Sequence, residues 1–133
     1  MITRYLIATI VFFGLDMAWL GFVAKNFYRS RLSFILSENV NWPAAIVFYF
    51  IYIAGIYYFA IHPSILMCNW QVAAVNGALL GFLCYATYDL TNMATIANWP
   101  ISIVIVDIIW GTALTSSVAV ATYFISNYLS SCS

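Results

Sequence analysis

Four long apolar stretches dominate the pattern of hydrophobic and polar positions in this 133-residue chain. A helix needs about 20 mostly apolar residues to cross the hydrocarbon core of a bilayer, and each stretch reaches that length. Short, more polar connections separate them. We therefore predict an all-α fold, a polytopic four-transmembrane-helix bundle that forms a single membrane domain over residues 1–133. The predicted helices cover approximately residues 5–24, 43–62, 70–89 and 100–124.

The composition supports a membrane location and excludes other classes. Hydrophobic residues make up 65% of the chain and charged residues only 6%, whereas soluble domains carry about 25% charged residues. We therefore expect membrane lipids as partners. The formal net charge of zero predicts no nucleic-acid partner. The three cysteines lack a metal-binding spacing. A bridge between Cys68 and Cys132, which both lie outside the predicted helices, stays open.

The basic residues predict an orientation. Lys25, Arg29 and Arg31 follow the first predicted helix together with Glu38, and Arg4 precedes that helix. Cytoplasmic connections carry the excess of Lys and Arg in membrane proteins. With four helices, the first and third connections share one side of the membrane. We therefore expect that side to be cytoplasmic and both termini to be periplasmic.

Three of the four acidic residues lie inside the predicted helices or at their edge. An Asp at the centre of a membrane helix costs about 2.5 to 3.5 kcal/mol, so such a residue is a candidate for function. Asp16 precedes Lys25 by nine residues and Asp107 follows Pro100 by seven, which is about 13 and 10 Å from the same membrane face. Asp89 is predicted to end the third helix on that side. All three should therefore lie in one half of the bundle.

Polar and aromatic residues accompany these carboxylates on their own helix faces. Trp19 follows Asp16 by three residues, and Trp110 follows Asp107 by three, so each pair shares a helix face. One stripe on the third helix contains Gly77, Gly81, Tyr85, Asp89 and Asn92. Small residues four apart allow close helix packing, so the stripe is predicted to face the bundle interior. A homo-oligomer could also pack through Gly77 and Gly81.

These residues form a candidate site with two open interpretations. The ligand- or ion-binding candidates are Asp16, Trp19, Tyr85, Tyr88, Asp89, Asn92, Asp107 and Trp110. The head-group candidates are Lys25, Arg29 and Arg31. A protonated Asp can instead bond Tyr hydroxyls or Trp indoles and lock helices together. The only histidine, His62, lies at the opposite face, and no standard hydrolytic or nucleotide-binding motif is present. Catalytic residues, cofactor and metal stay unknown.

Several blocks of the chain are distinctive beyond their hydropathy. They are Leu15-Asp16-x-x-Trp19-Leu20-Gly21, Phe27-Tyr28, Ala54-Gly55, the run from Tyr85 to Thr95 that contains Tyr-Asp-Leu-Thr-Asn, and Val106-Asp107-x-x-Trp110-Gly111-Thr112. With these blocks the chain resembles the DUF2177 family of small predicted bacterial membrane proteins, over almost its whole length. The resemblance implies a multi-pass protein of the bacterial inner membrane. The function of the family is unknown, so the resemblance implies no site residues.

Three functions fit the pattern. The first is a membrane protein that binds a lipid, a small ligand or a protein partner at a buried acidic site, and we favour it because the chain is rich in aromatic residues and lacks catalytic motifs. The second is a proton- or cation-coupled transporter, which would act as an oligomer because four helices are few for a pathway. The third is a small enzyme acting on a lipid head group. In that enzyme, one metal could sit among the three carboxylates and Asn92.

Overall fold

The fold is an all-helical bundle, seen in a computed structural model that describes residues 1–36 and 39–132. Glu38 lies outside the described residues. The helices are α1 (Ile2–Ala18), α2 (Lys25–Leu32), α3 (Trp42–Ile56), α4 (His62–Leu66), α5 (Trp70–Thr95) and α6 (Ile101–Leu129), with single π-helical turns at Trp19–Val23 and Tyr57–Ile61. Within this part of the chain four spans are long and apolar enough to cross a membrane: Ile2–Phe22, Trp42–Leu66, Trp70–Thr95 and Ile101–Leu129. The prediction of a four-helix membrane bundle is confirmed.

The helices extend beyond their predicted ends. The third was predicted to stop at Asp89, but α5 continues to Thr95 because polar residues can prolong a helix past the apolar run. The fourth ends at Leu129 instead of residue 124. The second span continues past His62 through Pro63, immediately after a π-helical turn. The carbonyl of Phe59, which Pro63 cannot serve because it has no N–H, accepts a hydrogen bond from Asn76 Nδ2 at 3.0 Å.

A short helix occupies the first connection, where no helix was predicted. α2 has eight residues and follows directly on the π-helical turn at the end of the first span. It is polar on its outer side, so a search for apolar runs passes over it. Arg31 ties it to the start of α6, because its Nε donates to Ser102 Oγ at 2.9 Å. Leu32 packs with Trp99 and Ile103 in a small apolar cluster at the same place.

α6 lies at the centre of the bundle. Its buried residues recur at spacings of three and four from Ile103 to Ser126, which is the pattern of a helix packed along one face. α5 approaches α6 closely, because a Cβ added at Gly81 would overlap the carbonyl oxygen of Gly111. A Cβ at Gly77 would lie 2.9 Å from the Thr115 carbonyl oxygen. The predicted interior stripe is thus buried against α6 of the same chain, and the homo-oligomer through these glycines stays a prediction.

The two ends of the bundle are defined by contacts between connections. At one end a disulfide joins Cys68 and Cys132, whose Cα atoms are 5.9 Å apart. Met1 and Ser130 line a common surface pocket there, so both termini share this end. α2 and the connection between α5 and α6 lie at the other end. We call these the disulfide end and the α2 end.

Candidate functional site

A polar cavity of about 250 Å³ opens in the half of the bundle near α2. The residues that line it come from the first span, α2, α3, α5 and α6: Phe12, Asp16, Trp19, Leu20, Tyr28, Phe48, Tyr49, Tyr85, Asp107 and Trp110. Two of its lining residues are carboxylates and seven are aromatic. The five elements therefore bring together side chains that are up to 98 positions apart in the sequence, from Phe12 to Trp110.

The two carboxylates of the polar cavity lie at similar depth on different helices. Asp16 is six residues from the end of its span at Phe22, and Asp107 is six residues from the start of α6, which is about 9 Å in each case. Each residue is only 8% exposed. The placement in one half of the bundle agrees with the expectation from the sequence, and the role of the residues stays a prediction.

Tyrosine hydroxyls hold both carboxylates. Tyr28 of α2 donates to Asp107 Oδ1, and Tyr49 of α3 donates to Asp16 Oδ2 at 3.4 Å. Burial and the neighbouring Asp107 carboxylate raise the pKa of Tyr28 above its ordinary value of 10.0. The hydroxyl therefore stays protonated and remains a donor at neutral pH. In the described part of the chain, no Lys, Arg or His side chain pairs with either carboxylate.

Two tryptophans form one wall of the polar cavity. The rings of Trp19 and Trp110 stack with their centroids 4.3 Å apart and their planes within 8° of parallel. Both indole N–H groups are buried without a hydrogen-bond partner. The N–H of Trp110 approaches Asp16 without reaching hydrogen-bond geometry. Trp19 also begins a π-helical turn, a feature that is frequent at functional sites.

Asp89 takes a different position from the other two acids. It is completely buried, and neither of its carboxyl oxygens has a hydrogen-bond partner. Its carboxyl interacts electrostatically with that of Asp107, but Asp89 is not among the residues that line the polar cavity. Asp89 lies inside α5, not at a helix end as predicted, because the helix continues for six more residues to Thr95.

The remaining candidates are divided between the site and its surroundings. Tyr85 lines the polar cavity, and together with Tyr88 and Asp107 it also lines a second cavity of about 440 Å³ between α3, α5 and α6. Asn92 is half-buried and is not among the residues lining either cavity. Within residues 1–36 and 39–132, no three His, Cys, Asp or Glu side chains could hold a metal ion together. The interpretation of one metal among three carboxylates is therefore wrong for this part of the chain.

The basic candidates lie at the surface of the α2 end. Lys25 and Arg29 are exposed on α2, next to the cavity residue Tyr28. Arg31 is also exposed, and its guanidinium lies 4.2 Å from the centroid of the Phe27 ring. Arg31 thus secures α2, and the head-group role of the three basic residues stays a prediction.

The search of the sequence missed the two tyrosines that bond the carboxylates. Tyr28 belongs to the Phe27-Tyr28 block, which was a usable signal. Tyr49 stands among several aromatic residues of α3, and no pattern separates it from them. Phe12 and Phe48 are likewise ordinary apolar residues in the sequence, and only the packing of the helices brings them to the polar cavity.

Comparison with known protein families agrees with these observations. The family model described as a predicted membrane protein, DUF2177, matches residues 1–124. The chain belongs to the DUF2177 family. The four apolar spans and all of the polar cavity fall within the matched residues, apart from the last turn of α6. No curated protein and no solved structure matches the chain.

Proposed function

We propose that this DUF2177 protein binds a ligand that carries an ammonium group, within the broader class of lipid- or small-ligand-binding membrane proteins. The observation that supports it most is the joint lining of the polar cavity by Asp16, Asp107 and seven aromatic residues. Buried carboxylates in a membrane favour a positive partner. Aromatic rings attract an ammonium group with about 0.5 to 2 kcal/mol each. The two effects act on the same chemical group.

An ammonium group fits these walls better than a metal ion. Ca²⁺ and Mg²⁺ require about six or more oxygen ligands close together. The polar cavity offers two carboxylates on different helices, and rings occupy most of the remaining surface. An ammonium group accepts such surroundings because its charge is spread over a larger volume and tolerates aromatic neighbours. The chemistry of the lining therefore favours an organic cation.

The ligand should also carry oxygen atoms. The indole N–H groups of Trp19 and Trp110 are buried donors without a partner, and such groups cost free energy until they are paired. A phosphate or hydroxyl oxygen on the ligand would accept from them. The ligand that satisfies both the carboxylates and the indoles therefore combines an ammonium group with nearby oxygen acceptors.

Binding of the simplest cation tests the proposal. Tetramethylammonium chloride is titrated into the purified full chain in detergent and followed by calorimetry, with sodium chloride and neutral tert-butanol as separate controls. We expect saturable binding of tetramethylammonium alone. The Asp16→Asn variant should bind at least about tenfold more weakly, a loss of about 1.4 kcal/mol. Trp110→Leu should weaken binding several-fold, and Trp70→Leu, its matched control at the disulfide end, should not.

Two results would contradict the ammonium site. One is equal binding of tetramethylammonium and tert-butanol, and the other is unchanged affinity in Asp16→Asn. Circular dichroism and gel filtration must show that each variant keeps its helices and its size. A purely structural role of the carboxylates predicts unchanged folding in Asp16→Asn together with no cation binding in the wild-type protein.

One observation favours a second candidate, a proton- or cation-coupled transporter acting as an oligomer. Asp89 is fully buried, unpartnered and next to Asp107, and acidic residues in that position occur in proton relays. In proteoliposomes with an internal pH dye, the wild-type protein should take up protons after external acidification, and Asp89→Asn should not. Equal rates in the two proteins would exclude this role. The described residues add no observation that favours an enzyme acting on a lipid head group.

We also propose that the α2 end faces the cytoplasm of a bacterial inner membrane. The three basic residues of the first connection lie at this end. The disulfide between Cys68 and Cys132 lies at the other end, and disulfides persist in oxidising compartments such as the periplasm. Both arguments predict periplasmic termini. In Lys25→Cys, an impermeant thiol reagent added to intact cells should leave position 25 unlabelled, and labelling there would reverse the orientation.

A further inference from the structure

An apolar groove of about 450 Å³ runs between the first span and α3. Phe13 and Met17 form one side, and Ala45 and Ile46 form the other. Three of its lining side chains carry a hydroxyl group, Tyr5, Thr9 and Tyr49, and each hydroxyl donates a hydrogen bond. Thr9 Oγ1 donates to the Tyr5 carbonyl oxygen at 2.8 Å, and the Tyr5 hydroxyl donates to the Phe50 carbonyl oxygen at 3.1 Å.

The groove and the polar cavity are neighbours. Leu20 and Tyr49 line both of them, and Tyr49 is the residue that donates to Asp16. A molecule lying in the groove therefore passes the mouth of the polar cavity between these two side chains. The acidic site thus has a lateral opening toward the bilayer.

The dimensions fit a lipid. At about 250 Å³ the polar cavity is smaller than the roughly 300 to 1,000 Å³ of typical small-molecule sites, so it suits a head group. From Asp16 to Tyr5 the groove extends about 16 Å along α1 at 1.5 Å per residue. That length is close to half of the roughly 30 Å hydrocarbon core, which one leaflet's acyl chain fills.

We propose that the ligand is an amine-bearing membrane phospholipid, with its ammonium group between Asp16 and Asp107 and one acyl chain in the groove between α1 and α3. This inference rests on the proposed ammonium site and names its ligand class. The phosphate oxygens meet the indole N–H groups of Trp19 and Trp110, while Lys25 and Arg29 attract the phosphate to the α2 end.

The two parts of the site have different tasks. An acyl chain that enters the groove moves from one apolar environment, the surrounding lipid chains, to another. Burial of apolar surface alone therefore gives little affinity. The groove therefore positions the lipid, and the polar cavity selects its head group. Blocking the groove should change lipid affinity by a few-fold, whereas removing a carboxylate charge should change it at least about tenfold.

The test compares three probes. They are phosphatidylethanolamine, phosphatidylglycerol with the same acyl chains, and soluble glycerophosphoethanolamine, each measured by native mass spectrometry on the purified full chain. Phosphatidylethanolamine should bind at least about tenfold more tightly than phosphatidylglycerol. Glycerophosphoethanolamine should bind more weakly than the lipid because it lacks the chains that occupy the groove. Equal affinity for the two lipids would overturn the proposal.

Matched variants separate the groove from the polar cavity. Ala45→Phe fills the groove, and Ala54→Phe adds the same ring at an exposed position of the same helix. Ala45→Phe should weaken phosphatidylethanolamine binding a few-fold and leave glycerophosphoethanolamine binding unchanged, and Ala54→Phe should change neither. Where Ala45→Phe does not fold, Ile46→Trp replaces it, because Ile46 lines the groove and is already 51% exposed.

The two proposals fail in distinguishable ways. If Asp16→Asn weakens both ethanolamine probes while Ala45→Phe and Ala54→Phe behave alike, the ammonium site holds and the lipid assignment is overturned. If Ala45→Phe alone weakens lipid binding and Asp16→Asn has no effect, the ammonium site is overturned, and the assignment of an amine-bearing lipid falls with it.

Discussion

The two ends of the bundle treat their polar groups differently. Toward the disulfide end, Asn76 Nδ2 donates to the Phe59 carbonyl oxygen at 3.0 Å, and Ser64 Oγ donates to the Ile61 carbonyl oxygen at 2.6 Å. Toward the α2 end, the Asp89 carboxyl and the indole N–H groups of Trp19, Trp99 and Trp110 are buried without partners. At the disulfide end these polar groups hydrogen-bond to helix carbonyls, whereas at the α2 end strong donors and acceptors have no hydrogen-bond partner.

The difference matters because unsatisfied polar groups are costly in a membrane. Near the disulfide end His62 Nδ1 and the hydroxyls of Thr122 and Ser126 are also buried without partners. The two hydroxyls can turn toward the carbonyl one helical turn back, which leaves His62 Nδ1 as the exception at this end. A carboxylate or an indole has no such local option. The unused groups that require another molecule are therefore concentrated at the α2 end, where the cavities are lined by Asp16 and Asp107.

The largest effect should come from breaking the helix contact that both ends share. In Gly81→Ala, the new Cβ would overlap the Gly111 carbonyl oxygen and approach Thr115 Oγ1 to 2.8 Å, so α5 must move away from α6. Overpacking of this kind costs about 1 to 3 kcal/mol, and more where backbone must shift, so we expect about 3 kcal/mol. Thermal unfolding in detergent measures it.

The matched control for Gly81→Ala is Gly14→Ala on α1. A Cβ at Gly14 meets nothing within 4 Å, and Ala favours a helix by up to about 1 kcal/mol over Gly. The control should therefore be neutral or slightly more stable than the wild-type protein. Equal melting temperatures for the two variants would mean that α5 and α6 are not in close contact at Gly81.

Removing the disulfide should affect one end alone. The bridge closes a sequence separation of 64 residues, and disulfides contribute about 2 to 4 kcal/mol. We expect Cys68→Ser to lower the free energy of unfolding by about 2 kcal/mol, because membrane helices stay partly formed when the bundle opens. Tetramethylammonium affinity should stay unchanged.

Cys84→Ser provides the control for the disulfide variant, since Cys84 is a free and exposed cysteine. Its melting temperature should match that of the wild-type protein. A loss of cation binding in Cys68→Ser would show that the two ends are coupled and do not behave independently.

The sequence predicts the parts of this molecule that depend on length and charge. The four spans follow from apolar runs, because a bilayer demands them. The shared depth of Asp16 and Asp107 follows from the number of helices, since four spans place the first and third connections on the same side of the membrane and each Asp lies a similar distance from one of them. The stripe with Gly77 and Gly81 faces the interior because small residues mark close packing.

The contacts between side chains of different helices depend on how each helix is rotated about its axis, and the sequence does not indicate that rotation. The second span, Trp42–Leu66, is apolar on all sides, so no amphipathic pattern indicates that Tyr49 and not Tyr58 faces Asp16. The bond from Tyr28 to Asp107 joins residues 79 positions apart. α2 was not predicted because its eight residues are mostly polar and too few to form a membrane span. Contacts of this kind need the packed bundle.

The smallest effect should come from releasing α2 from the polar cavity. In Tyr28→Phe, Asp107 loses the hydroxyl that donates to it, and hydrogen bonds to charged groups contribute about 1.5 to 3 kcal/mol. Arg31 and Leu32 still hold α2, so we expect a loss at the low end, about 1.5 kcal/mol. Hydrogen exchange at the amides of α2 should therefore become faster, by about tenfold. Tyr128→Phe, at a 91% exposed position, should leave exchange unchanged.

The same bond predicts how the difference depends on pH. The pKa of Tyr28 is raised above 10.0 by burial and by Asp107, so the folded protein keeps a proton that the unfolded chain loses near that value. The contribution to stability is then complete below pH 10 and declines as the pH rises toward the pKa of the folded state. Amide hydrogen exchange in α2 should be slower in the wild-type protein than in Tyr28→Phe, and the ratio of the two rates should be constant between pH 6 and 9. A difference that already declines across that range would mean that Tyr28 ionises readily, and α2 would then not be held by a protonated donor.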